Sequence, residues 1–189
     1  MTEKIKDGLH TEIRYGDKYE GHYKDGKKEG TWTSWYENGQ KKYEDTYKNG
    51  KNHGISLRWF ENGQKWSETY YKDGELHGKS KSWYDNGQKS DRKYYKNGLS
   101  DGFWTTWNRN GMKKRKIFFR KGKYHGINKH WYDNGQKWSD VMYKDDVWDG
   151  KFTLWYENGQ KKKQGFFKNG KQVGLLKRWY SDGTKREPF

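Results

Sequence analysis

Cysteine is absent from this 189-residue chain, proline occurs once, at Pro188, and no hydrophobic run approaches the 18 or so apolar residues of a membrane-spanning helix. Without cysteine there is no disulfide and no thiolate metal site, so the fold needs no oxidising compartment and no zinc clip. The opening stretch MTEKIKDGLHTEIRYGDKYEG lacks an apolar core of signal-peptide length. The expectation is a soluble, cytoplasmic protein. Hydrophobic residues are also scarce, at 29% with a mean hydropathy of -1.61, which excludes a conventional thick core. Low hydrophobicity with high charge usually means disorder, but disordered chains are poor in aromatics, and here 12 Trp, 16 Tyr and 8 Phe must be placed somewhere regular. What is abundant besides rings is positive charge. A formal net charge of +16 sets up a field attractive to acidic proteins, nucleic acid or anionic lipid.

The regularity is a repeat. Glycine recurs every 24 residues at Gly39, Gly63, Gly87, Gly111, Gly135, Gly159 and Gly183, and again at Gly30, Gly54, Gly78, Gly102, Gly126, Gly150 and Gly174. Tryptophan holds a third slot at Trp35, Trp59, Trp83, Trp107, Trp131, Trp155 and Trp179. Each unit carries two turn signals, Asn38-Gly39 and Asn49-Gly50 in the first copy, flanked by short aromatic-rich runs. Asn-Gly suits a two-residue type I′ hairpin, in which both central residues need positive φ. The predicted fold is all-β, an elongated single-layer antiparallel meander of about fifteen strands. Residues 1–29 read as a degenerate N-terminal cap and half-repeat, and 30–189 as seven tandem 24-residue hairpins in one repeat domain. Terminal units must close such a stack, and Pro188, which cannot donate to a further strand, suits an outer edge.

A two-residue loop at Asn38-Gly39 sets Tyr36 opposite Lys41 and Trp35 opposite Lys42. Centring the next loop between Gly50 and Lys51 sets Tyr47 opposite Gly54. Two ladders then share one face: Tyr36, Lys41, Phe60, Lys65, Tyr84, Lys89, Tyr132 and Lys137 in one, and tyrosines or phenylalanines over glycines in the other. The opposite face carries the Trp row and, at its far end, Thr46, Ile55, Tyr70, Tyr94, Phe103, Phe118, Ile127, Met142, Phe166 and Leu175.

The pattern W-Y-E-N-G-Q-K followed by Y-K-N-G-K-x-H-G resembles the variant MORN repeat of bacterial proteins labelled YwqK-family antitoxins, over about residues 15 to 187. The resemblance implies an elongated antiparallel sheet and contacts with proteins or anionic lipid. Its antitoxin label implies a partner toxin, and it brings no catalytic motif.

Catalytic readings find little footing. The carboxylates Glu37, Glu61, Asp85, Asp133 and Glu157 recur about 9.5 Å apart on alternate strands, near an inverting-glycosidase separation, but they flank exposed turns. His53, His77 and His125 share a slot whose spacing is too wide for one zinc ion. The expectation is therefore no enzyme, no cofactor and no metal, but a protein-binding scaffold with an acidic partner. Anionic lipid or single-stranded nucleic acid on the Lys/aromatic ladders is the alternative. The candidate interaction surface is the Trp row, Trp59, Trp83, Trp107, Trp131 and Trp155, together with the Tyr36–Lys137 ladder.

Overall fold

A computed structural model describes residues 7–187, so Pro188 lies outside the described residues. The fold is an all-β, single-layer antiparallel meander. Seventeen strands are present among the described residues, and no helix there is long and apolar enough to cross a membrane.

The chain divides into two compact units, the first reaching Lys89 and including 95–98, the second comprising 90–94 and everything from Leu99. The first holds β1 (Gly8–Arg14), β2 (Asp17–Lys24), β3 (Lys27–Trp35), β4 (Lys41–Lys48), β5 (Lys51–Trp59), β6 (Lys65–Lys72) and β7 (Glu75–Trp83), each paired antiparallel with the next. β8 (Lys89–Lys96) is divided between the units. In the second unit, Asp91 and Arg92 of β8 pair with β10 (Gly102–Trp107). The meander continues through β11 (Lys113–Arg120), β13 (Gly126–Trp131), β14 (Lys137–Lys144), β15 (Val147–Trp155), β16 (Lys161–Lys168) and β17 (Lys171–Arg178). The two-residue strands β9 (Leu99–Ser100) and β12 (Lys123–Tyr124) are the leading ends of β10 and β13, cut off by a bulge.

Both turns differ from the sequence expectation. The Asn38-Gly39 connection is a three-residue loop: the Tyr36 N–H donates to Gln40 O at 2.8 Å, the Gly39 N–H donates to Tyr36 O at 2.9 Å, and only Gly39 has positive φ. This is a type I turn closed by a glycine bulge. Trp35 therefore pairs with Lys41, and the register shifts by one before Ser34 meets Tyr43. The type I′ turn is the other one, where Asn49 (φ 50°) and Gly50 (φ 79°) form a two-residue loop. Lys48 then pairs with Lys51 and Tyr47 with Asn52, two residues short of the expected Gly54. Gly54 sits in a bulge at φ 100°, after which Asp45 pairs with Ser56 in the expected register. The Gly30 slot is thus glycine because the backbone there is left-handed. Tyr47 still faces the glycine that opens its own repeat, Gly30, as Tyr71 faces Gly54, but on its other side it faces Asn52.

The leader forms a complete hairpin, β1–β2, closed by the type I′ pair Tyr15 (φ 52°) and Gly16 (φ 84°), with Gly8 opposite Tyr23 as Gly30 is opposite Tyr47. A non-Asn residue at positive φ is uncommon, so this turn gave no sequence signal.

Most buried side chains lie on one face of the strands, while Thr105 and Thr153 are buried on the other. In the second unit Ile117, Phe119, Val141 and Phe152 are buried, and rings run in contact from Trp104 to Phe119 (4.6 Å), Tyr124 (4.9 Å), Tyr143 (5.4 Å), Trp148 (6.2 Å) and Phe167 (4.8 Å). In the first unit the equivalent row is polar after Trp32: Asp45, Ser56, Thr69 and Ser80.

His130 lies on the buried face of the second unit, edge-on to Trp138 at 5.3 Å and paired across the sheet with Arg115. Burial, aided by the Arg115 charge, lowers its pKa below the ordinary 6.5. The unfolded chain therefore takes up a proton first as pH falls, and the stability that neutral His130 contributes, complete above pH 6.5, is lost on descent toward the folded pKa. Urea midpoints for the second unit should fall between pH 7.5 and 5.5, and His130→Gln should flatten that dependence. An unchanged slope in the variant would assign the titration elsewhere.

Candidate functional site

Repeats are joined at both rows of turns. On the three-residue side, Tyr36 Oη donates to Trp59 O at 2.8 Å, Tyr132 Oη to Trp155 O at 2.9 Å and Tyr156 Oη to Trp179 O at 3.0 Å. The turn asparagines do likewise, with Asn38 Nδ2 donating to Glu61 O and Asn134 Nδ2 to Glu157 O. On the type I′ side the Gly50 N–H donates to Lys28 O and the Gly74 N–H to Asn52 O, about one repeat earlier. The slot of His53 serves these turns: Glu29 accepts from the Asn49 N–H at 2.7 Å and Asp149 from the Asn169 N–H at 3.2 Å. His53 and His125 contact the turn acids Asp73 and Asp145 at 3.1 and 3.3 Å. These histidines are turn partners, and the carboxylates Glu37, Glu61, Asp85, Asp133 and Glu157 are all exposed.

The lysine ladder departs from the expected arrangement. The three-residue loop pairs Lys41 with Trp35 and turns it toward the Trp face, and the bulge between Ser34 and Trp35 leaves Lys42, the extra residue, with Tyr36. Lys41 Nζ stands 5.7 Å from the Trp59 ring centre, Lys65 5.9 Å from Trp83, Lys137 5.1 Å from Trp155 and Lys161 5.8 Å from Trp179. Lys42 and Lys162 instead cover Tyr36 and Tyr156 at 5.1 and 5.3 Å. The expected alternation of Tyr36, Lys41, Phe60 and Lys65 is replaced by Lys-on-Trp contacts from one repeat to the next, each worth about 0.5–1 kcal/mol where exposed. Trp59, Trp83, Trp107, Trp131 and Trp155 are all half-buried, as are Phe60, Tyr84 and Tyr132.

An exposed apolar row lies at the far end of the Trp face, on the row the period also marks. In the second unit Phe103, Ile127, Met142 and Phe166 are 39%, 38%, 37% and 54% exposed and Leu175 is 80% exposed. Phe103 pairs across the sheet with Phe118 and Ile127 with Met142. Between this row and Trp155 runs a groove of about 410 Å³, lined by Ile127, Met142 and Lys151 of the row, by Trp155 and Lys161, and by Asp140, Thr153 and Gln164 between them.

Charge singles out the same unit. Of the 41 basic and 25 acidic residues, 23 and 10 fall in the second unit, a net of +13, leaving +3 for the first. A count by halves would have exposed this asymmetry from the sequence, where the total alone did not.

Hairpins of fixed length, joined turn to turn and covered by lysine on tryptophan, define a tandem-repeat β protein. The family model described as MORN repeat variant matches residues 28–49, 52–73, 76–98, 124–145 and 148–169, more than half of the chain, which belongs to that family. The unmatched stretch between 98 and 124 contains the repeat in which Asn108 replaces the turn tyrosine and Met112 the glutamine. No curated protein matches the chain.

Proposed function

We propose that the chain is a non-catalytic repeat scaffold that binds an acidic protein, with the second unit as its main contact surface. The observation that carries this reading is the coincidence, in one unit, of a net charge of +13 with a row of exposed apolar side chains. Exposed apolar rows rimmed by charge mark association surfaces, and the charge selects an acidic partner and speeds encounter with it. The lysine-capped tryptophans form the rim. Lysine already lies over the Trp155 and Trp179 rings, which counts against base stacking there as the mode of binding. An antitoxin role is the narrower form of this reading and requires an acidic toxin; absence of cysteine suits a cytoplasmic setting.

Affinity capture with the full chain, with and without nuclease and at two salt concentrations, tests it. The expected result is an acidic protein retained regardless of nuclease. Retention of nucleic acid alone, falling steeply with salt, would replace it with the polyanion reading.

A further inference from the structure

The groove beside Ile127 and Met142 runs across the strands, and this decides what can lie in it. A sheet satisfies its backbone groups within its own plane, so a segment crossing the strands on one face finds no ladder to join. Its own N–H and C=O groups must then be paired internally once water is displaced, and only a helix does that for a short segment. The dimensions agree. Successive strands are about 4.8 Å apart, close to the 5.4 Å pitch of an α-helix, so each turn of a helix laid along the groove meets the next strand. From β13 to β17 the row spans roughly 19 Å, the length of a helix of about 13 residues.

The row within that span reads Ile127, Met142, Lys151, Phe166, Leu175 in strand order. Its aliphatic members offer contact area without stacking geometry. Lys151 is exposed and has no carboxylate partner among the described residues, and Lys177 on β17 is exposed beside Leu175. Among the described residues the second unit's strands make their main contacts with their sheet neighbours, which leaves Ile127, Met142 and Phe166 exposed on this face.

We propose that this groove and the exposed row continuing from it bind an acidic amphipathic α-helix, its apolar stripe on Ile127, Met142, Phe166 and Leu175 and its carboxylates toward Lys151 and Lys177. The assignment rests on the protein-binding reading above and specifies the partner segment and its seat. A flat anionic membrane would meet the apolar row but could not reach the groove residues Thr153 and Gln164 beneath it.

The test uses the full chain and a fluorescent 15-residue helical peptide with leucines at i, i+3, i+4, i+7 and glutamates on the flanks. A scrambled peptide of the same composition and vesicles containing phosphatidylserine serve as comparisons. The amphipathic peptide should bind about tenfold more tightly than the scrambled one, and Met142→Asp, a change at an exposed position, should weaken it about tenfold. Lys151→Glu should weaken it and reduce its salt dependence. Equal binding of both peptides, or binding indifferent to Met142→Asp, overturns the proposal, as does Met142-dependent binding of vesicles without binding of the peptide. Captured acidic protein retained equally by wild type and Met142→Asp would sink the groove while leaving the scaffold reading standing. Loss of all protein capture by the wild type would sink both.

Discussion

Replacing Trp32 by alanine is expected to destabilise the first unit by about 3–5 kcal/mol, the usual cost of truncating a buried tryptophan. Trp32 is 2% exposed, the largest fully buried side chain described. Its Nε1–H donates to His22 O at 3.0 Å, its ring meets Tyr23 edge-on at 4.9 Å, and Lys28 Nζ lies 4.1 Å above it. The ring covers Gly21, where an added Cβ would come within 2.2 Å of ring atoms. Gly21→Ala should therefore expel the ring and reproduce much of the loss while keeping the tryptophan. Because each strand of a repeat array rests mainly on its neighbours, the damage should stay local. Amide exchange should accelerate in β1–β4 and hold in β13–β16. Uniform acceleration, or a loss below about 1 kcal/mol, would mean that Trp32 is not the anchor of this unit.

The period gave no hint of Trp32. It occupies a slot filled in later repeats by Ser56, Ser80, Trp104, Asn128, Phe152 and Leu176, and it was the constant Trp35 slot that stood out. Spacing revealed the hairpins, their direction and the two rows on the Trp face, because the glycine and tryptophan slots recur without insertion. It did not reveal which Asn-Gly makes which turn. A three-residue loop with a glycine bulge and a two-residue type I′ loop both ask for Asn-Gly, and the difference is carried by one residue's φ: Asn49 is left-handed and Asn38 is not. From that single difference follow the Lys41 and Lys42 exchange of faces and the pairing of Tyr47 with Asn52. The exposed apolar row was legible, since it depends only on the register beyond the bulges. The contrast in charge between the units was present in the sequence, but it took the unit boundary to give the count its meaning.

The second large effect is expected at Asp45, which occupies the central row of the first unit at 4% exposure, where the second unit places Ile117 and Val141. Arg58 holds it with two hydrogen bonds, Nη1 to Oδ1 at 2.7 Å and Nη2 to Oδ2 at 3.0 Å, while the guanidinium stacks 4.9 Å from the Tyr43 ring. The surroundings are dry enough that burial pushes the Tyr43 hydroxyl up to about 12 and lowers Lys28. Removing one partner of such a pair leaves the other charge without its counterion. Asp45→Ala should cost about 3 kcal/mol, at the lower end for buried pairs because Arg58 keeps some access to water. Replacing both partners by apolar residues of similar size, Asp45→Leu with Arg58→Met, should recover most of that loss, since desolvation of the two charges offsets most of their attraction. Urea titrations of the two single variants and the double variant decide it. A double variant as unstable as Asp45→Ala would mean that the pair sets the sheet register here and cannot be exchanged for the apolar row that serves the second unit.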